Sequence, residues 1–129
     1  MTVVLYRVGR SLNRAYRTAA CFGAIEMLLW ECSGTLRGGL YSAAGAVRVT
    51  SVEGPPAGAG VGLSARRGVE IAQIDWGGVE WIAVGGETDG LPASLVCRWA
   101  RIETEHSLCL TTEAAVAIAL REWRVARKE

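Results

Sequence analysis

The sequence predicts an α+β domain: a curved antiparallel β-sheet meander with an N-terminal helix and a C-terminal helix packed against it. Three observations predict it. Residues 107–127 pass from a short apolar run through Thr111-Thr112 into a run of helix formers, with Val116, Ala119, Leu120 and Trp123 at helical spacing on one face. Residues 69–76 and 79–85 alternate as strands around Gly77-Gly78, a pair suited to a tight hairpin turn. Between this ribbon and the N-terminus lie several short apolar runs bounded by glycine and serine.

A chain of 129 residues with 50% apolar and 21% charged side chains is expected to form a single domain spanning residues 1–129, with a real core. A net charge of +1 excludes a global field for nucleic acid or membrane. The distribution is less even. Residues 1–52 hold six arginines against Glu26 and Glu31, whereas residues 53–91 hold Arg66 and Arg67 against Glu53, Glu70, Asp75, Glu80, Glu87 and Asp89. The N-terminus lacks a secretory h-region, and the apolar stretch 19–30 is broken by Glu26 and too short to span a bilayer. A cytoplasmic protein without membrane contact is therefore expected. Cys21, Cys32, Cys97 and Cys109 show no close pairing, which predicts reduced, buried thiols and disfavours zinc. No metal and no cofactor are expected.

In order, residues 2–7 alternate as a first strand ended by Gly9. Ser11 suits an N-cap, and Leu12, Ala15, Tyr16 and Ala19 form the apolar stripe of a helix. Arg10, Arg14 and Arg17 share its other side, which reads as a solvated face, with a phosphate-binding strip as the minor reading. Residues 24–31 read as a strand or as a continuation of the helix; Ser33-Gly34 turns the chain after it. Residues 36–42 and 46–52 read as two further strands. The glycine-rich run from Glu53 to Gly62 lacks the Lys-Ser/Thr of a phosphate loop and is not followed by a helix, so it reads as a surface connection. Residues 95–102 form another strand, and residues 103–106 turn back into the run before the closing helix, where Thr111 or Thr112 caps and Glu113 suits the helix dipole.

The expected hairpin fixes a register in which Trp76 faces Val79, Asp75 faces Glu80 and Ile74 faces Trp81. Alternation then places Ala72, Ile74, Trp76, Val79, Trp81 and Ala83 on one buried side. Asp75 and Glu80 lie side by side near the tip, and Glu87 and Asp89 follow in the next loop. These four carboxylates are the expected partner-binding residues, an acidic end of the molecule facing a basic protein.

No catalytic residues are expected. His106, the only histidine, lies beside Glu103 and Glu105, but extended neighbours alternate sides and do not assemble a dyad, and no serine or cysteine sits in a nucleophile elbow.

The stretch Ile25-Glu26-Met27-Leu28-Leu29-Trp30-Glu31-Cys32-Ser33-Gly34 with the strands after it, and the closing Leu110-Thr111-Thr112-Glu113 leading to Trp123, resemble a family of bacterial immunity proteins from polymorphic-toxin systems. The resemblance implies a non-enzymatic inhibitor, an antitoxin occluding the active site of a cognate protein toxin; some members neutralise nucleic-acid deaminases. It implies no nucleic-acid partner. The near-neutral charge moves the acidic task to residues 70–89. The alternative is a small-molecule-binding domain or small enzyme, with a pocket between the sheet and the C-terminal helix, near His106, Glu103 or Glu105. A third reading, nucleic-acid binding through Arg10, Arg14 and Arg17, has only Tyr16 as a nearby aromatic.

Overall fold

The computed structural model describes residues 1–37, 47–86, 90–105 and 108–128. Its strands are β1 (Thr2–Tyr6), β2 (Glu26–Trp30), β3 (Arg48–Val52), β4 (Gly60–Ser64), β5 (Val69–Glu70), β6 (Trp81–Gly85) and β7 (Arg98–Arg101). Two helices, α1 (Leu12–Cys21) and α2 (Thr112–Lys128), and a 3-10 turn over Ile71–Gln73 complete the described elements. The strands form one sheet in the order β3-β2-β1-β6-β4-β7-β5, and every neighbouring pair is parallel.

The expected antiparallel meander is therefore corrected to an α/β fold. The reason is burial on both faces. Parallel strands are joined by crossovers of about a dozen residues or more, and the covering elements leave neither face wet. Val3 and Leu5 of β1, Met27 of β2 and Ile82 and Val84 of β6 face α1 and α2 in one buried cluster. Val4 and Tyr6, Leu28 and Trp30, and Trp81 and Ala83 face the other way, in a second cluster roofed by Leu91, Leu95, Cys97 and Trp99.

The hairpin at Gly77-Gly78 does not form. Residues 71–73 wind into the 3-10 turn, while β6 pairs with β1 and β4. The two glycines still make a turn, with Val79 N–H donating to the Trp76 carbonyl at 3.2 Å and Gly78 at φ +76°. That turn feeds a central strand instead of a partner ribbon. Consequently Trp76 and Trp81 are both buried, but on opposite sides of the sheet.

The helices match their expected stripes. α1 buries Leu12, Ala15, Tyr16 and Ala19, and α2 buries Val116, Ala119, Leu120 and Trp123 together with Thr112 and Ala115. Ser11 occupies the N-cap position without a side-chain cap bond, whereas Thr111 Oγ1 accepts from Ala114 N–H at 3.4 Å. Residues 24–31 resolve as strand, in β2. The strand expected at 36–42 lies mostly outside the described residues, and residues 108–110 are not strand.

The glycine run is the other local correction. Its end, Gly60-Val61-Gly62, is the buried start of β4. A Cβ at Gly60 would stand 2.1 Å from Cε2 of Trp81, and one at Gly62 2.9 Å from Cys97 Sγ and 3.3 Å from Cε3 of Trp99. Glycine is placed there because indoles lie across the strand.

β7 enters the sheet between β4 and β5, which are only residues 65–68 apart in sequence. Those residues form a strap from one side of β7 to the other. Gly68, at φ +91°, approaches so closely that a Cβ would lie 2.0 Å from the Trp99 carbonyl oxygen. Arg101 Nη1 donates to the Gly68 carbonyl at 3.1 Å, and Ile102 N–H to that of Ser64 at 3.3 Å. A later strand is thus held beneath a loop made by earlier chain, which most folds avoid.

Candidate functional site

Because all strands point the same way, β4, β6 and β7 end on one edge. Open α/β sheets bind ligands beyond the carboxyl ends of their strands. A cleft of 530 Å³ lies there, within the roughly 300–1,000 Å³ of small-molecule sites.

Its first wall is the end of β4 and the strap: Leu63, Ser64, Arg66 and Arg67. Ser64 Oγ accepts from the backbone N–H groups of Arg66 and Arg67, both at 3.1 Å, which sets the bend. The second wall is Val84, Gly85 and Gly86 at the end of β6, with Gly90 and Leu91 beyond. Gly86 N–H donates to the Tyr6 carbonyl at 2.8 Å, and a Cβ on Gly86 would stand 2.3 Å from the Arg7 carbonyl oxygen. A Cβ on Gly85 would stand 2.4 Å from the carbonyl carbon of Gly90. These glycines let backbone pass backbone at the floor of the cleft.

The third wall is Ile102 and Thr104 after β7, and Cys109, Leu110 and Ala115 around the start of α2. Thr112, 2% exposed, donates its hydroxyl to the Gly85 carbonyl at 3.2 Å and ties α2 to β6. Thr104 Oγ1 donates to the Leu108 carbonyl. The lining is mainly apolar, with backbone groups, hydroxyls and two guanidinium groups at its margins.

The cysteines divide. Cys21 and Cys109 are exposed, and Cys32 and Cys97 are half-buried, so the expectation of four buried thiols holds for none completely. Burial pushes the Cys97 thiol above its ordinary value, partly offset by the Gly62 backbone and the Arg67 charge. Burial does the same to Cys32, whose Sγ donates to the Leu5 carbonyl at 3.2 Å and accepts from Val8 N–H at 3.4 Å. Among the described residues no group of three or more His, Cys, Asp or Glu side chains is placed to hold a metal ion.

Of the expected acidic residues, Asp75 and Glu80 are described. Asp75 is exposed and turns its Oδ1 onto the Gly77 N–H at 3.0 Å. Glu80 is exposed and immediately precedes β6, at the opposite end of the strand from the cleft. The two do not face each other across a ladder. Glu87 and Asp89 lie outside the described residues, as does His106. Glu103 is drawn to Arg101 at 3.1 Å. The residues that do converge are Ser64 to Arg67 and Gly85-Gly86, whose local pattern points to no chemistry. Their sequence signal is Gly85-Gly86 directly after an apolar run, with Gly90 close behind.

No family model and no curated protein sequence matches the chain. Solved structures do match it. A protein studied for 2-OH methylation of C/U34 on tRNA superposes with a TM-score of 0.80 at 22% identity, covering 99% of this chain and 91% of that one. The TrmH/SpoU tRNA modifying enzyme of A. aeolicus gives a TM-score of 0.82 at 16% identity, over 98% of this chain and 75% of its own. The SpoU methyltransferase AviRb from Streptomyces viridochromogenes, solved with AdoMet, gives 0.81 at 16%, over 99% of this chain and 60% of its own.

This chain has the TrmH/SpoU fold.

That finding overturns the immunity-protein resemblance. With it go the non-enzymatic inhibitor, the antitoxin role, the toxin partner and the exclusion of nucleic acid, because solved structures that share the fold include a tRNA modifying enzyme and an RNA 2′-O ribose methyltransferase. The alternative of a small enzyme or small-molecule-binding domain agrees better with the likeness. Its pocket lies at the strand ends and touches the closing helix only through Ala115. No helix among the described residues is long and apolar enough to cross a membrane.

Proposed function

We propose that this domain transfers a methyl group from S-adenosylmethionine to a ribose 2′-hydroxyl of tRNA in the cytoplasm. The observation that carries the reading is the cleft at the carboxyl ends of β4, β6 and β7, in a fold shared with an AdoMet-bound methyltransferase. The tRNA substrate is favoured over ribosomal RNA because the chain spans 91% and 75% of the tRNA-directed neighbours but 55% of an AdoMet-bound rRNA methyltransferase from Sinorhizobium meliloti.

The cleft fits the cosubstrate. Leu63, Val84, Leu91, Ile102 and Leu110 offer apolar surface for a purine and a thioether-like chain. The close approaches at Gly85 and Gly86 leave no side chain between a ligand and the backbone amides and carbonyls that give such sites their specificity. When bound, the sulfonium would supply an activated methyl group and leave as the neutral thioether S-adenosylhomocysteine, the 2′-hydroxyl proton being released to solvent. This chain's part is to hold the two reactants in line and exclude water; such alignment can supply about 7–11 kcal/mol of a barrier. The strap and the Thr112–Gly85 tie keep the walls of the cleft in register for that purpose.

The test combines calorimetry with AdoMet and transfer of an isotopically labelled methyl group to unmodified tRNA. The expected result is saturable AdoMet binding and label recovered in a dinucleotide that resists alkaline hydrolysis, because a 2′-O-methyl group removes the hydroxyl that would cleave the next phosphodiester. Absence of both AdoMet binding and transfer to tRNA overturns the reading.

A further inference from the structure

The strap carries adjacent arginines on the lip of the cleft, and one of them is already immobilised. The Arg67 guanidinium lies 4.1 Å over the Trp99 ring and donates Nη1 to the Ala93 carbonyl at 3.2 Å. One side chain thereby joins β7, the strap and the segment after β6. Arg66 lines the same lip and is exposed. Among the described residues no carboxylate forms an ion pair with either.

Resting on the methyl-transfer reading, we propose that Arg66 and Arg67 grip an RNA backbone phosphate beside the target ribose, with Trp99 presetting Arg67. Guanidinium has five donors in a rigid fork that matches phosphate. Arg67 spends one on Ala93 and, among the described residues, keeps the others. Its stacking on Trp99 has already removed side-chain freedom, so less ordering remains to be done on binding. Both arginines are exposed while the cleft beneath them is mainly apolar, which suits a polymer arriving from solvent rather than the carboxylate of an enclosed cosubstrate. The net charge of +1 supplies no general attraction for RNA, so its capture needs cations concentrated at the site.

The experiment measures tRNA affinity against salt concentration, tRNA KM and kcat, and AdoMet affinity for the full chain and for Arg66→Gln, Arg67→Gln, Arg67→Lys and Trp99→Phe. Arg98→Gln, at the far end of β7, controls for net charge. Arg66→Gln and Arg67→Gln should each flatten the salt dependence by about one unit of log–log slope. Each should also raise the tRNA KM about tenfold, with AdoMet affinity within about twofold. Arg67→Lys should fall between, since it keeps the charge but loses the stacked fork, and Trp99→Phe should keep most of the effect. Among the described residues the Arg66 side chain makes no hydrogen bond or ion pair, so Arg66→Gln tests the idea even if a variant at 67 or 99 loosens the strap. An unchanged salt slope in folded Arg66→Gln and Arg67→Gln overturns the inference. Weakened AdoMet binding with the slope intact overturns it too, by moving these side chains to the cosubstrate. If tRNA binding behaves as stated but no methyl is transferred, the activity fails while the phosphate grip stands.

Discussion

Gly60 and Trp81 occupy one space: the position a Cβ would take on Gly60 is 2.1 Å from the indole, which is itself 2% exposed. Strands β4 and β6 are neighbours, and Gly60 is the register partner of Trp81. The indole crosses its partner's backbone, and only glycine permits that.

Gly60→Ala should therefore destabilise by about 1–3 kcal/mol, the usual cost of forcing a methyl into a packed core. Gly68→Ala should cost at least as much, because it adds a left-handed backbone to a clash at 2.0 Å with the Trp99 carbonyl. Thermal unfolding of both variants, beside Gly54→Ala where no atom lies within 4 Å, checks this. A stability of Gly60→Ala equal to that of the parent would show that β4 and β6 are not packed as described.

Thr112→Val removes the hydroxyl that reaches the Gly85 carbonyl while preserving shape. The expected loss is about 1 kcal/mol from a buried hydrogen bond. Since this bond ties the start of α2 to the cleft floor, AdoMet affinity should fall with it. Calorimetry and denaturant unfolding on the same preparation separate the two effects.

Glu26 carries an acid-dependent contribution. The Arg48 guanidinium, at 2.9 Å, and next the Thr2 hydroxyl hold its carboxyl below the usual 4.5. A depressed carboxylate contributes stability that is complete above the unfolded value and is lost as pH falls through the folded one. The parent should thus lose stability below about pH 4.5 more steeply than Glu26→Gln. Melting curves across that range test it; parallel curves would remove the pair from the account of β2 and β3.

The cysteines should separate by rate in alkylation with iodoacetamide. Cys21 and Cys109 are exposed, whereas Cys32 and Cys97 are half-buried with thiol pKa values raised by burial, so the exposed pair should react first. Cys109 lines the cleft and Cys21 does not. Saturating AdoMet should slow Cys109 alone, as read by peptide mass spectrometry.

Both helices are legible in the residues alone. The stripes of α1 and α2 follow from period alone, since a helix that buries one side must repeat its apolar residues every three or four positions. Most strand locations are legible as well, as is the turn at Gly77-Gly78. The direction of pairing was carried less openly, in runs such as Val3-Val4-Leu5, Met27-Leu28-Leu29-Trp30 and Trp81-Ile82-Ala83-Val84, which are apolar on consecutive residues rather than alternate ones. Residues 69–85 also satisfy a period of two, which hides that signal and gives a central parallel strand the pattern of half a hairpin. The remainder depends on the folded chain. Which strands pair, that β7 passes beneath residues 65–68, and that Arg67 meets Trp99 while Gly85 meets Gly90 depend on contacts between distant segments. Local periodicity reports which side of an element is buried; it holds no information about what is buried against it, and the cleft is made entirely of such meetings.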